Sequence, residues 1–378
     1  MSRISIVLHK KEVIVILNIL TSLSSRMTSL ISCVRMQCKD DHLKFIISND
    51  AIFCFEQYSS VIQSQGFDLV VDIFKLCNIV KNCPGDDLQL CIDNNILSIV
   101  SLTTVFKINT IGNIDVSFPI IDNCQLEFSL SAKQLFNLIN YVEFCALKNN
   151  FQSSLNAISL QYKAQEKKLY AIGVDGHRLG IASTNIDSID VDEDFNILLS
   201  LHIGQKIPVF LNNILDSRID ISITATSLVI KSEYKKGVFA LMSRELVFPD
   251  YTHLIPINNS NVIKCNVLYL TNVLKRIISI STEIVKSVKV NLGNDSAVVY
   301  TKQLSENHNN LSKEEIKYSK KFSYHGQNLE LALNADYLIQ IFSKLHNDDI
   351  EIYIKDAKTA VLLLYNSDLR YIVMPLRI

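Results

Sequence analysis

At residues 175–177 the chain reads Asp-Gly-His, and an acid beside a histidine is the first place to look for chemistry. Asp175 and His177 would suit a base and its orienting carboxylate in a hydrolase, or two ligands of a metal ion. Adjacent residues seldom converge on one metal, and no HExxH or other ligand set accompanies them. A turn in which Asp175 and Gly176 serve the backbone is the plainer expectation. The nine cysteines (Cys33, Cys38, Cys54, Cys77, Cys83, Cys91, Cys124, Cys145 and Cys265) are odd in number and form no CxxC pair. Free, buried thiols in a reducing compartment are therefore expected, with no zinc and no disulfide framework. No phosphate-binding loop is present, and neither a catalytic residue, a metal nor a cofactor is expected.

The elements that position these residues repeat. A short alternating strand runs into an amphipathic helix at Ile4, Asp68, Glu127, Asn196, Lys264 and Leu329, with starts 64, 59, 69, 68 and 65 residues apart. Each copy changes from period 2 to period 3.6, as a strand feeding a helix must. In the fifth copy Val267, Leu270, Leu274 and Ile277/Ile278 make the apolar stripe, with Thr271, Asn272, Lys275, Arg276 and Ser279 mainly off it. Pro208 breaks a helix unless it lies in the first turn, so the fourth helix is expected to begin near Lys206. β-Rich segments at 221–232, 288–292, 351–356 and 360–366 lie between the copies. Pro119, Pro249 and Pro375 add a slower period, each following a β-rich stretch. Two copies per domain and three domains follow: 1–124, 125–256 and 257–378. The segments 187–194 and 303–321 are expected to be exposed loops, the second the least structured part of the chain.

The 378 residues carry 37 Lys+Arg against 38 Asp+Glu, a net charge of -1. That excludes a globally basic nucleic-acid binder but allows segregated charge. The helix faces carry Lys11, Arg26, Lys75, Lys81, Lys133, Lys148, Lys206, Lys275, Arg276 and Lys344, with fewer acids. Such faces are either ordinary solvated helix surface or a basic interior suited to sequence-independent contact with phosphates. Twelve helices about 10 Å wide, set side by side as two chains supply them, enclose a hole of roughly 28 Å, whereas six leave roughly 9 Å. Val13–Leu23 is too short to span a bilayer and no signal-cleavage site follows it, so a cytoplasmic protein without a membrane role is expected.

Three stretches carry a resemblance: YAIGVDGHRLG at Tyr170–Gly180, FPDYTHLIP at Phe248–Pro256 and the terminal YIVMPLRI. In this order and spacing they resemble the bacterial sliding-clamp family, the beta subunits of DNA polymerase III. RMTSLISC around Arg26 and VKNCP around Lys81 also find counterparts, so the resemblance covers the whole chain. It implies an α+β DNA-clamp fold: three pseudo-repeated domains, each of two βαβββ units, with helices lining a ring and sheets outside. It further implies a non-catalytic processivity factor, a homodimer encircling duplex DNA regardless of sequence. The ring would hold the replicative polymerase, clamp loader and repair proteins through short linear peptides. A repeat-built peptide scaffold that never touches DNA is the non-enzymatic alternative.

By position, the resemblance assigns a partner-peptide groove to Leu155, Val174, Gly176, His177, Arg178, Leu179, Pro249, His253 and Leu254, completed by Ile372, Val373, Met374, Pro375, Leu376 and Arg377. His253 stands where arginine is frequent and Val174 where threonine is frequent, which bears on which peptides bind. The resemblance assigns DNA contact to Arg26, Asn149, Ser153 and Ser154, within a segment that includes Lys148 and Gln152. Serine at 153 and 154 weakens the stacking that aromatic residues give relatives there. Lys206, Lys275 and Arg276 join this set from the helix faces. The ring seam is assigned to Leu274, Ile278 and Ile280 against a partner helix carrying Lys75, Ile79 and Cys83.

Overall fold

The structure is a computed structural model that describes residues 4–24, 33–39, 42–49, 53–60, 66–93, 95–112, 124–148, 154–186, 193–233, 235–242, 246–305 and 308–377. The first repeat runs β1 (Ile4–His9), α1 (Lys10–Leu23), β2 (Cys33–Lys39), β3 (His42–Asn49), β4 (Phe53–Ser60). The second runs β5 (Phe67–Asp72), α2 (Ile73–Asn82), β6 (Asp87–Asp93), β7 (Ile96–Ser101), β8 (Thr104–Asn109). The third comprises β9 (Leu126–Ser131), α3 (Ala132–Val142), β10 (Ala157–Lys163), β11 (Lys168–Val174) and β12 (Arg178–Asn185). In the fourth, β13 (Phe195–Ser200) and α4 (Leu201–Leu211) precede β14 (Arg218–Ile223), β15 (Ser227–Lys231) and β16 (Lys235–Ala240). The fifth has β17 (Asn261–Asn266), α5 (Val267–Ile278), β18 (Ser287–Leu292), β19 (Ser296–Ser305), β20 (His308–Lys317) and a short β21 (Phe322–His325). The sixth has β22 (Leu329–Asn334), α6 (Ala335–Ser343), β23 (Asp349–Ile354), β24 (Val361–Asn366) and β25 (Leu369–Val373).

Each strand passes into its helix without a connecting residue, and the last strand residue explains how. The side chains of Asp72, Asn266 and Asn334 accept from the N–H groups of Lys75, Tyr269 and Asp336 at 2.9, 3.1 and 3.0 Å. Ser200 accepts from Ile203 N–H at 3.3 Å. Ser131 and Gln134 form a reciprocal box, Ser131 Oγ accepting from Gln134 N–H at 3.2 Å and Gln134 Oε1 from Ser131 N–H at 2.8 Å. Each such cap satisfies an orphan helix donor and contributes about 1 kcal/mol. Only α1 starts without one, at His9. The expected start of α4 near Lys206 is wrong: the helix begins at Leu201, with Pro208 well inside. The Ser200 cap and the Leu201 N–H bond to Asn156 O at 2.9 Å set that start. Buried Ile207, Phe210 and Leu211 offset the hydrogen bond that Pro208 cannot donate.

In every pair of repeats the leading strands are exchanged. β1 heads the sheet β1-β6-β7-β8, while β5 heads β5-β2-β3-β4. Likewise β9 pairs with β14 and β13 with β10, and β17 pairs with β23 and β22 with β18. Two of these four-stranded sheets join edge to edge at β4–β16, giving eight strands. Two others join at β12–β25 and gain β21, giving nine. The chain forms two compact units, one from residues 1–136, 186–192 and 205–243, the other from 137–185, 193–204 and 244–378. The first holds the eight-stranded sheet and β1-β6-β7-β8; the second holds the nine-stranded sheet and β20-β19-β18-β22.

The loop expected at 303–321 is instead mostly the hairpin of β19 and β20, in register from Ser296↔Lys317 to Ser305↔His308. Its charged sequence hid a ladder that needs only backbone donors and acceptors, with Ile316 and Val299 supplying the buried side. Residues 187–192 of the other expected loop lie outside the described residues, as does Pro119. Cys33 and Cys38 are buried, Cys77, Cys83, Cys145 and Cys265 are free and buried, and Cys124 is free and exposed. Among the described residues no helix is long and apolar enough to cross a membrane.

Candidate functional site

The turn between β11 and β12 is built by Asp175. Its Oδ1 accepts from the N–H groups of His177 and Arg178, both at 2.9 Å, and its Oδ2 from Arg178 Nε at 2.9 Å. Gly176 has φ +89° in open space, so glycine is there for conformation, not for room. Asp175 thus spends its carboxylate on the turn, and it bonds the His177 backbone instead of the imidazole. The turn expectation holds over the Asp–His pair.

Two glycines opposite each other, Gly173 and Gly180, let the end of α3 lie against the sheet. A Cβ on Gly173 would stand 2.4 Å from Val142 O, and one on Gly180 3.0 Å from Cys145 Sγ. Strand alternation then sorts the groove candidates by face. Gly180 pairs with Tyr371 and Arg178 with Val373, so these lie on the helix side. Arg178 confirms it: its Nη2 donates to Phe144 O at 2.5 Å and its Nη1 to Gln340 Oε1 at 2.8 Å. Its guanidinium lies 4.4 Å from the Tyr337 ring centroid and 5.2 Å from that of Phe144. Arg178 is 7% exposed, and Val373 is wholly buried.

The opposite face carries Val174, Leu179 and Ile372 in one cross-strand row, all buried, with Met374 next along the chain and exposed. Met374 N–H donates to His177 O at 2.9 Å and Leu376 N–H to Ala332 O at 2.8 Å, which fixes the C-terminal segment beside the turn. Tyr251 lies on this same face, since its hydroxyl reaches Gln161 Oε1 at 3.2 Å and Gln161 pairs with Tyr170, two and four residues before Ile172 and Val174. Tyr251 thereby brings the 248–254 segment to this face, with Pro249, His253 and Leu254 exposed on it. Burial pushes the Tyr251 hydroxyl upward and, with the Glu166 hydrogen bond, lifts Tyr170 to about 12. Pro375 and Leu376 are half-buried, Arg377 exposed. Leu155 is half-buried in a loop closed by Leu147 N–H to Leu155 O at 2.9 Å and Asn156 Nδ2 to Leu147 O at 2.6 Å. The groove set therefore divides: Val174, Leu179, Ile372 and Met374 share the face that carries Tyr251, while Arg178 and Val373 support it from behind.

Residues 252–377 match the family of the DNA polymerase III beta subunit, C-terminal domain. The whole chain is 26% identical over 356 residues to the beta sliding clamp of Rickettsia bellii (strain RML369-C), covering 91% of each. The last third of the chain thus matches that family, and the chain as a whole is similar to bacterial sliding clamps. Its fold superimposes on the Pseudomonas aeruginosa sliding clamp solved with griselimycin at TM-score 0.90 and 18% identity, covering 100% of both chains. The Thermotoga maritima DNA polymerase III beta subunit gives 0.87 at 20% identity, covering 99% of this chain and 100% of that one.

Among the other candidates, Arg26, Asn149, Gln152 and Ser153 lie outside the described residues. Lys148 and Lys275 are exposed and Ser154 is half-buried. Lys206 is half-buried, donates to Ser22 O at 2.9 Å and has its ammonium pushed down by burial. Arg276 is forked to Glu314 at 2.7 and 3.0 Å. Lys344 is half-buried and tied to Asn140 at 2.7 Å and Glu143 at 3.1 Å, so its charge is already engaged. At the expected seam Lys75 is exposed and Ile79 and Ile278 are half-buried, with Ile280 at 36%. Leu274 and Cys83 are buried in their own chain and support that surface from beneath. Thr271, expected off the apolar stripe of α5, is buried because its hydroxyl returns to Val267 O at 2.7 Å. Gln161, Tyr170, Tyr251 and Arg370 escaped sequence reasoning, although counting back by twos from Val174 and Ile372 reaches Tyr170 and Arg370.

Proposed function

We propose that two copies of this chain close head to tail into a ring around duplex DNA, and that each copy comprises three domains, 1–124, 125–256 and 257–378. The carrying observation is how the sheets join. The β4–β16 and β12–β25 contacts are both antiparallel pairings of two four-stranded sheets at their edges. Among the described residues, β8 and β20 each end a sheet without an outer partner. Pairing β8 of one copy with β20 of another would make the same junction a third time. α2 packs on β8 and α5 on β20, which would bring Lys75 and Ile79 toward Ile278 and Ile280 of the second copy. Strand exchange within each pair of repeats supports the three-domain division.

The exposed Lys11, Lys75, Lys81, Lys133, Lys148 and Lys275 supply a cationic helix surface for phosphates, with no base-reading element required. The Val174–Leu179–Ile372 floor, rimmed by Met374, Pro249 and Leu254, is the slot for short apolar peptides of the replicative polymerase, clamp loader and repair proteins. The chain acts as a tether and not as a catalyst, in the cytoplasm.

Loaded by its clamp loader onto a nicked circular plasmid, the protein should persist through gel filtration and be lost once the plasmid is linearised. Loss from the intact circle would overturn the ring. Equal retention on linear DNA would mean ordinary surface binding.

A further inference from the structure

Arg370 lies on the groove face, two residues from Ile372 and opposite Ile181 and Leu364. It is half-buried, yet among the described residues its guanidinium makes no hydrogen bond or ion pair. The charged groups around it are already engaged. Asp368, two residues back on the same face, is bound by Lys168 at 2.7 Å and Ser183 at 3.0 Å. Glu166 is held by the Tyr170 hydroxyl, and Asp250 accepts from Thr252 N–H and Oγ1 at 2.9 and 2.7 Å. A half-buried arginine whose guanidinium holds no anion among the described residues keeps its donors available on a surface where the neighbouring positions are apolar or satisfied. Its charge also reaches Tyr170 and Tyr251, the two tyrosines that edge this part of the face.

We infer that Arg370 is a subsite for an acidic side chain of the docked peptide, beside the apolar anchor that rests on Ile372. Two residues along a strand separate the two positions by about 7 Å, within reach of a peptide side chain one or two places from the anchor. This rests on the peptide groove proposed above. The subsite makes charge near the anchor, and not apolar fit alone, a determinant of which partners dock.

The test uses fluorescein-labelled octapeptides with a Gln and a Leu-Phe anchor, each remaining position in turn Asp or Asn, with griselimycin as competitor. At one or two neighbouring positions Asp should bind about tenfold tighter than Asn to the wild-type protein. That preference should vanish in Arg370→Gln and pass to a Lys-bearing peptide in Arg370→Glu, both checked for folding by thermal unfolding. Equal affinity of Asp and Asn everywhere, or a preference surviving both substitutions, overturns the subsite while leaving the groove. Failure of every peptide and of griselimycin to bind overturns the groove and the subsite together.

Discussion

Both edge-to-edge sheet junctions bury a cation, and they do so by opposite means. At β12–β25, Arg178 pairs with Val373 and satisfies its guanidinium with Asp175, Gln340, Phe144 O and two aromatic rings. At β4–β16, Lys235 pairs with Gln57 and is 3% exposed, but among the described residues its Nζ has no hydrogen-bond partner, and the Phe210 ring lies 6.0 Å away. Burial pushes the Lys235 ammonium down to about 8. A buried charge is held in place by partners or relieved by losing its proton. The first route makes a rigid support for a functional turn, whereas the second leaves a standing cost at a purely structural seam.

The largest test of this contrast removes Arg178. Arg178→Met should cost about 3–5 kcal/mol, because the half-buried Asp175 carboxylate loses its ionic partner and Phe144 O and Gln340 lose their donor. The urea midpoint for unfolding reads it, and a loss below about 1 kcal/mol would show that the network does not depend on its charge.

Lys235→Met should act in the other direction. Lys235 titrates near 8 in the folded chain against 10.5 when free, so its penalty is complete below pH 8 and relieved as pH rises toward 10.5. The unfolded state binds the extra proton in that window, so stability rises with pH there. At pH 7 the variant should be more stable by about 3 kcal/mol, and the gap to wild type should close between about pH 8 and 10.5. A constant gap across that window would mean that Lys235 finds a partner in solution.

The smallest effect compares a glycine one strand from the β12–β25 junction with one on the β4–β16 junction. Alanine at Gly173 meets a backbone oxygen at 2.4 Å, whereas alanine at Gly237 meets the rings of Phe239 and Phe210 at 2.7 and 3.0 Å. Rings can shift where a helix-end carbonyl cannot. Thermal unfolding should show a loss of about 2 kcal/mol for Gly173→Ala against about 1 kcal/mol for Gly237→Ala.

Much of this was written locally in the chain. Asp72, Ser131, Ser200, Asn266 and Asn334 mark where five of the six strands become helices, because a cap needs only residues three or fewer positions apart. The same local rule misplaced α4, where Pro208 spoke for a start that the Ser200 cap and Asn156 decide instead. Charge composition misjudged 303–321, because a ladder draws on backbone groups that composition does not report.

By itself the sequence determined the sixfold strand–helix repeat, the caps and the Asp175–Gly176 turn, all set by periodicity and by hydrogen bonds between near neighbours. The family motifs also pointed to segments that the structure brings to one face of a sheet. Only the tertiary structure decided which side of the sheet each residue serves. Arg178 and Leu179 are adjacent in the chain, yet one turns to Gln340 and Phe144 while the other joins Val174 and Ile372. Those partners come from strands and helices far along the chain, so the burial of Arg178, Lys235 and Leu179 does not exist until the sheets pair.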